Sequence, residues 1–393
     1  MKTGKLPENV LKRSVLRQIN TRSEAVQSGA GIGKDCAILA FPKTTGMAVC
    51  MQEGPVSVNG EAAEEPAAPE PAIAIGNLIQ RCANNLAAGG TRPLAVMVTL
   101  LLPRTAQEAD VKGLMAQAEA KCKELSMEIA GGQTRVTGGV SLPFGVITGF
   151  GRPWGHDREE NCPGRKRSED AGGRDSGTPE RYMEKPGERH GNHETGESAG
   201  GLSGGPVPGQ DVVLSKWIGL EGTALLAKGS RERLLERYPA YLVEEAETFD
   251  RYLSVLPEAE TAVRFGVSAM HDASAGGIFG ALWELAEGAG VGLSIDMRKL
   301  PLRQETVEVC ECCNVNPYEL LAGGCLVMVT EDGPGLAAAL EREHIPAALV
   351  GKITDSNDRI LINGDEIRYM DRPKRDGILE WGDLNGFIPQ NMR

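Results

Sequence analysis

Aromatic side chains are scarce: Phe, Trp and Tyr make up only 4% of the 393 residues. The cores must be built from Leu, Val, Ile, Ala and Met, which the 41% hydrophobic content allows. Positive charge is also in deficit. Lys and Arg number 42 against 54 Asp and Glu, a formal net charge of −12. Nucleic-acid binding needs a basic face, so this balance argues against that class. No run of about 18 apolar residues occurs, so no membrane-spanning helix is expected. The opening Met1-Lys-Thr-Gly-Lys5 lacks the apolar stretch of a signal peptide. The nine cysteines are odd in number and follow no disulfide-framework spacing. Reduced thiols in a cytoplasmic protein are the simplest reading. Glycine, by contrast, is plentiful at 50 residues, which implies many turns and close backbone approaches.

The length suggests two domains, and the hydrophobic pattern predicts an α/β chain. An amphipathic helix is expected over 6–19. Strands follow at 36–41 and 47–51, then an Ala/Glu/Pro-rich loop over 59–72. A helix is expected over 73–89, because Gly89-Gly90 and Pro93 stop it. The apolar run Leu94–Leu102 reads as a buried strand. Thr105-Ala-Gln-Glu108 has the form of a capping box that opens a helix to about Ser126. Strands at 127–130 and 144–150 close a first domain, residues 1–151. Residues 210–393 form the second. Strands are expected there at 211–217, 267–271, 292–296, 325–330 and 347–353. Helices are expected over 221–228, 232–253, 276–288, 303–313 and 333–343, before a polar, turn-rich stretch of about forty residues.

Between the domains, residues 152–209 are almost devoid of aliphatic side chains. Such a stretch cannot bury enough apolar area to offset its ordering entropy, so a disordered insert is expected. Deleting 156–204 should leave the thermal midpoint within a few degrees, since loop-closure entropy changes slowly with length. A thermal melt of the deletion variant checks this; loss of cooperative folding would refute it.

Two Gly-rich constellations carry the chemistry. Gly29-Ala-Gly31-Ile-Gly33-Lys-Asp35 can wrap an anion with backbone N–H groups, and Asp35 can hold a divalent cation beside it. A plain turn at a strand start gives the same pattern. His271-Asp-Ala-Ser-Ala-Gly-Gly277 joins a strand to an apolar helix, and such a helix start is a ready anion site. Asp272 is a candidate metal ligand there; alternatively, Asp272 and Ser274 cap the helix. Cys310-Glu-Cys312-Cys313 contains a Cys-x-x-Cys, but without a second ligand pair it reads as one face of a partly buried helix rather than a zinc site. His190 and His193 fall within the insert and read as part of a solvated polar segment.

Taken with Ala83-Asn84-Asn85-Leu-Ala-Ala-Gly-Gly90, Ala130-Gly131-Gly132-Gln133-Thr134-Arg135-Val136, Lys216-Trp-Ile-Gly-Leu-Glu-Gly-Thr223 and Asn316-Pro-Tyr-Glu-Leu-Leu-Ala-Gly-Gly324, these pieces resemble a known superfamily. It contains aminoimidazole ribonucleotide (AIR) synthetase, selenophosphate synthetase, thiamine-monophosphate kinase and the HypE-type hydrogenase maturation factor. The pieces occur in family order along nearly all of the chain outside 152–209.

The resemblance implies a two-domain fold, a mixed-sheet ATP-binding first domain and a homodimer paired through that domain. It implies Mg²⁺-ATP chemistry on a small-molecule substrate, in which an amide or carbonyl oxygen is phosphorylated so that it can leave. Gly31, Gly33, Asp35, Asn84, Asn85, Gly131, Gly132, Thr134 and Arg135 would line the ATP site. Asp35, Glu53, Asn85 and Asp272 would hold the metal. The chain departs from the family pattern at Gln52-Glu53, where Thr-Asp is usual, at Asn85, where Asp is usual, and at Gln133 and Arg135. Each neutral replacement removes an anionic ligand from a hard-cation site. A non-catalytic nucleotide-binding maturation or regulatory protein is the alternative. The branch resembles the HypE-type factor most, yet no cysteine follows Cys325, so that factor's thiol-carried reaction is not expected.

Overall fold

The protein is described here from a computed structural model covering residues 8–9, 12, 16, 26–28, 31–32, 34, 36–39, 46–58, 72–154, 202, 204–373 and 376–384. Gly33 and Asp35, most of the 6–19 helix and of the 59–72 loop, and the bulk of the insert lie outside these residues.

The first domain is a six-stranded mixed sheet in the order β1-β2-β3-β6-β4-β5. Its strands are β1 (Val26–Ser28), β2 (Ala37–Leu39), β3 (Met47–Pro55), β4 (Thr91–Leu102), β5 (Glu128–Val136) and β6 (Phe144–Pro153). Only β4 and β5 run parallel. Helices α1 (Ile75–Ala88) and α2 (Glu108–Glu124) cover one face. Strand β6 alternates half-buried and buried residues along its whole length, the signature of a sheet covered on one side.

Several elements differ from expectation. The cap of α2 pairs Gln107 with Asp110, each bonding the other's backbone, rather than Thr105 with Glu108. Strand β4 begins at Thr91 and passes through Pro93, where a register shift accommodates the missing N–H. The glycine stretch Gly131-Gly132 lies inside β5, a nine-residue edge strand, and not in a loop. Strand β6 runs to Pro153, past the expected boundary at 152.

The second domain is a seven-stranded sheet in the order β13-β12-β9-β11-β7-β10-β8. Its strands are β7 (Asp211–Ser215), β8 (Ala269–Ala273), β9 (Gly292–Asp296), β10 (Cys325–Thr330), β11 (Ala347–Thr354), β12 (Arg359–Asn363) and β13 (Glu366–Tyr369). The expected helix over 232–253 is in fact two short helices and a 3₁₀ turn, broken at Pro239, which lacks the N–H a continuous helix needs. With α3 (Leu220–Gly229) before them, these are α4 (Arg231–Leu235), α5 (Ala240–Glu247) and Phe249–Tyr252. Then come α6 (Leu256–Phe265), α7 (Gly277–Ala289), α8 (Gln304–Cys313), α9 (Gly333–Arg342) and α10 (Gly377–Leu384). Helix α6, strands β12 and β13, and α10 were not anticipated.

The second sheet is buried on both faces. Val212, Leu214, Val327 and Val329 pack with α7. On the other face Val213, Met270, Leu326 and Met328 pack with α6 and α9, and with Ala87 and Ala88 from α1 of the first domain. Helix α1 is therefore buried on two sides. Ile75, Leu78, Ile79, Cys82 and Leu86 face the first sheet, while Asn84, Ala87 and Ala88 face the second domain.

The cysteine-rich helix α8 places Cys310, Cys312 and Cys313 in a core with Leu226, Val243 and Leu320. Burial pushes the Cys310 thiol up to about 12 and raises that of Cys313 as well, so both are packing groups.

Candidate charged junction between the domains

Asp272 lies on β8 two residues after Met270, so it faces α1 as Met270 does. It is buried. From α1, Arg81 reaches across the junction to Glu221 at the start of α3. Its Nε and Nη2 lie 3.0 and 2.8 Å from the same oxygen, Oε1. Burial works against the guanidinium's charge, but Glu221 more than offsets it, and Asp376 and Asp272 add to the attraction. Glu221 is only 2% exposed, and its Oε2 has no hydrogen-bond partner among the described residues.

Asp376, just before α10, completes the cluster. Its carboxylate accepts N–H groups from Gly276, Ile378 and Leu321. Burial pushes this carboxyl up to about 6, against those bonds and the Arg81 charge. The junction thus gathers one guanidinium and three carboxylates.

The loops beneath it depend on glycine. Gly276 and Gly277 have φ of +89° and +67°, and a Cβ on Gly277 would fall 2.5 Å from Tyr318 O. A Cβ on Gly323 would fall 2.2 Å from Glu221 Oε2. The Ser274–Gly277 turn expected from sequence is therefore present. Neither Asp272 nor Ser274 caps α7 through its side chain; the N-cap is Gly276.

The expected residues separate into groups. Asn84 does not line an open site. Its amide donates to Leu253 O at 2.8 Å, and its oxygen accepts from Gln80 and from Val255 N. Those bonds tie α1 to the segment before α6. Asn85, one residue on and about 100° around the helix, is half-buried. Near the end of α1, Cys36 lies against Gly89.

Glu53 is elsewhere. Through the register Glu53–Val146–Thr99–Gln133 it lies on the outer face of the first sheet, opposite α1. Arg135 pairs with Leu101 and shares that outer face. At one strand spacing per step, Glu53 and Arg135 are about 15 Å apart. Gly131, Gly132 and Thr134 are exposed on the edge strand, and a Cβ on Gly132 would fall 1.8 Å from Val98 O. Among the described metal-ligand candidates, the sheet stands between Glu53 and Asn85, and no group of three His, Cys, Asp or Glu that could hold a metal gathers among the described residues.

The fold and this glycine-lined junction define the class: a two-domain α/β protein with a mixed-sheet first half docked on a second sheet through one shared helix. Residues 33–152 match the N-terminal domain of AIR synthase related protein, and residues 207–362 match its C-terminal domain. The chain belongs to this family. Carbamoyl dehydratase HypE of Rhodobacter capsulatus is 25% identical over 273 residues, which span 68% of this chain and 66% of that protein, just under two thirds of its length. A chain in the crystal structure of a HypE–HypF complex aligns with a TM-score of 0.62 at 18% identity, over 92% of this chain and 99% of that one. Hydrogenase maturation protein HypE in complex with ATP aligns with a TM-score of 0.59 at 15% identity, over 96% and 97%. Both structural likenesses speak for the shared fold.

Proposed function

We propose that the protein is an ATP-dependent phosphoryl-transfer enzyme that activates an amide or carbonyl oxygen of a small substrate. The observation that carries this reading is the buried charged junction, where Arg81 from the middle of α1 comes close to Asp272 and Asp376 beside the Gly276 turn. Phosphoryl transfer asks for charge neutralisation and alignment more than for covalent help. Arg81 supplies a fixed positive charge and the turn supplies backbone N–H groups. Of the residues expected to contact nucleotide or metal, Asn85 and Asp272 lie on the α1 side of the first sheet, and the reading adds Gly31 and Asp35 to them from the motif alone. Glu53 does not fit this set, so no step is assigned to a metal ion.

Calorimetric titration with ATP, with and without Mg²⁺, followed by an ADP-release screen against amides and carboxylates, tests the reading. Asp35→Asn should weaken ATP binding tenfold or more in Mg²⁺ and much less in EDTA. Loss of one partner in a desolvated charged contact costs about 2–5 kcal/mol. Unchanged affinity would make Asp35 a turn residue only. The neutral Asn85 and the separated Glu53 favour a second reading, a nucleotide-binding maturation protein without catalysis; ATP binding without turnover would select it.

A homodimer paired through the first sheet is part of the proposal. The outer face of that sheet exposes Met51, Leu94 and Met97 at 57%, 39% and 43%. Large contiguous apolar patches mark interaction sites. Met97→Glu should convert a dimer into a monomer by light scattering at micromolar concentration. A parent protein that is already monomeric refutes the pairing. Among the described residues no helix is long and apolar enough to cross a membrane.

A further inference from the structure

Glu8 and Lys12 rest on the second domain. They are helical residues one turn apart and pair with each other at 2.7 Å. Facing them, α7 presents Trp283 and Glu287, also one turn apart. Trp283 Nε1 donates to Glu8 Oε2 at 2.9 Å, and Lys12 bonds Glu287. Arg359 of β12 supports this seat. Its Cζ lies 4.2 Å from the Trp283 ring centre, and its Nη2 donates to Glu287 at 2.7 Å. The next strand, β1 (Val26–Ser28), is the edge of the first sheet. Between Lys12 and Val26 the chain therefore passes from one domain to the other, and the glycine-rich stretch 29–35 follows directly.

We propose that Glu8 and Lys12 form a releasable latch: seated on Trp283 and Glu287 they tether the N-terminal segment to α7, and their release frees the stretch that leads through β1 to residues 29–35 while both sheets stay folded. The pairing of charges explains why release costs little. When the latch leaves, Glu8 keeps Lys12 and Glu287 keeps Arg359, so no carboxylate is left without a cation. Only the indole N–H changes partner, from Glu8 to water. Losing one half of a buried ion pair is a different case, because it strands a charge. The Lys12 and Glu287 side chains are 46% and 24% exposed, so salt screens their attraction. Burial at the seat works against the Glu8 carboxylate, yet Lys12 and Trp283 hold it below its usual range, so the seated form is favoured when salt is low. The seat persists without the latch. Trp283 belongs to the core beside Leu282 and Ala286, and Arg359 holds both its ring and Glu287. Helix α7 begins at the Gly276-Gly277 turn, so the latch ties the approach to one glycine-rich stretch to the helix that starts at the other.

Hydrogen exchange read by mass spectrometry tests this on the full chain. Salt is the probe, so the outcome does not depend on whether ATP is used. Raising salt from about 10 mM to about 1 M shortens the screening length from about 30 Å to about 3 Å, and amides in 6–19 and 26–35 should then exchange about fivefold faster or more. Exchange in α1 and α7 should stay as it was. Lys12→Gln removes the cation that bridges Glu8 and Glu287, and it should give the fast rates already at low salt. Trp283→Phe keeps a ring under Arg359 but removes the indole N–H, and it should act in the same direction. Should Trp283→Phe fail to fold, Lys12→Gln and the salt series decide the matter. Rates in 6–19 that neither salt nor Lys12→Gln alters would overturn the latch. Faster exchange in 6–19 without any change in 26–35 would overturn its hold on the glycine-rich stretch. Equal acceleration in α1 would overturn release as a local event, since a core element would then be opening too.

Discussion

Lys216→Met is expected to cost about 3–5 kcal/mol of stability, the usual result of leaving one half of a buried ion pair behind. Lys216 pairs with Glu258 at 2.5 Å, with side chains 9% and 2% exposed. Its ammonium also donates to Tyr252 O and Ser254 O at 2.9 and 2.6 Å. Lys216 has φ of +52°, a conformation a lysine keeps only where its surroundings fix it. Here its backbone N donates to Pro346 O while its side chain holds the chain entering α6.

The deficit should grow with pH. Burial already holds the Glu258 carboxyl above its usual range, with Lys216 opposing. A carboxyl raised in the folded state stabilises below its unfolded value and loses that contribution as pH rises through the folded one. Without Lys216 the folded state must keep Glu258 protonated. The penalty then rises by about 1.4 kcal/mol per pH unit over which only the folded state holds the proton. Denaturant melts at pH 5 and pH 8 measure this, and Glu258→Gln added to Lys216→Met should recover most of the loss. Equal deficits at both pH values would mean that Lys216 acts through packing alone.

Arg81→Met should cost a similar amount, about 3–5 kcal/mol, for a related reason. It strands the Glu221 carboxylate, 2% exposed, close to Asp272 and Asp376, whose charges Arg81 now offsets. Because Arg81 belongs to the first domain and its partners to the second, the loss should appear as a weaker junction. Glu221→Gln in the Arg81→Met background should restore part of the stability, with a coupling energy of about 0.5–3 kcal/mol in a double-mutant cycle. Additive effects of the two changes would show that the ion pair contributes nothing beyond its separate parts.

The fold was legible wherever local pattern and tertiary role agree. The continuous apolar run of β10 became a strand buried along its entire length. The Gly276-Gly277 turn followed by apolar periodicity became α7. Pattern failed where the period outlived the element. Leu234, Leu235, Tyr238, Leu242 and Val243 keep helical spacing across Pro239, so the break was invisible to periodicity although proline announces it. Strands β12 and β13 carry Arg359, Asn363, Glu366 and Arg368 on a hairpin at the sheet edge, and a half-exposed edge strand reads as turn.

The junction was legible only in part. Asp272 and its glycine turn have a local motif. Arg81, Glu221 and Asp376 have none, since Arg81 and Glu221 stand 140 residues apart and only the fold makes them neighbours. Asn84 was expected at the nucleotide site through the resemblance, and its hydrogen bonds to backbone groups of the other domain were not legible in that motif.

Helix α1 has no single owner. Its Leu78, Cys82 and Leu86 complete one core, and its Ala87 and Ala88 complete another. A fragment ending near 154 would present that second surface to water, and a fragment beginning near 204 would lack the piece that covers Met270 and Met328. The two halves should therefore melt as one cooperative body. In any chimaera between relatives, the exchange must carry α1 together with the α6 and β10 residues it touches. The natural seam for recombination lies around this helix, not at the sequence boundary between the halves.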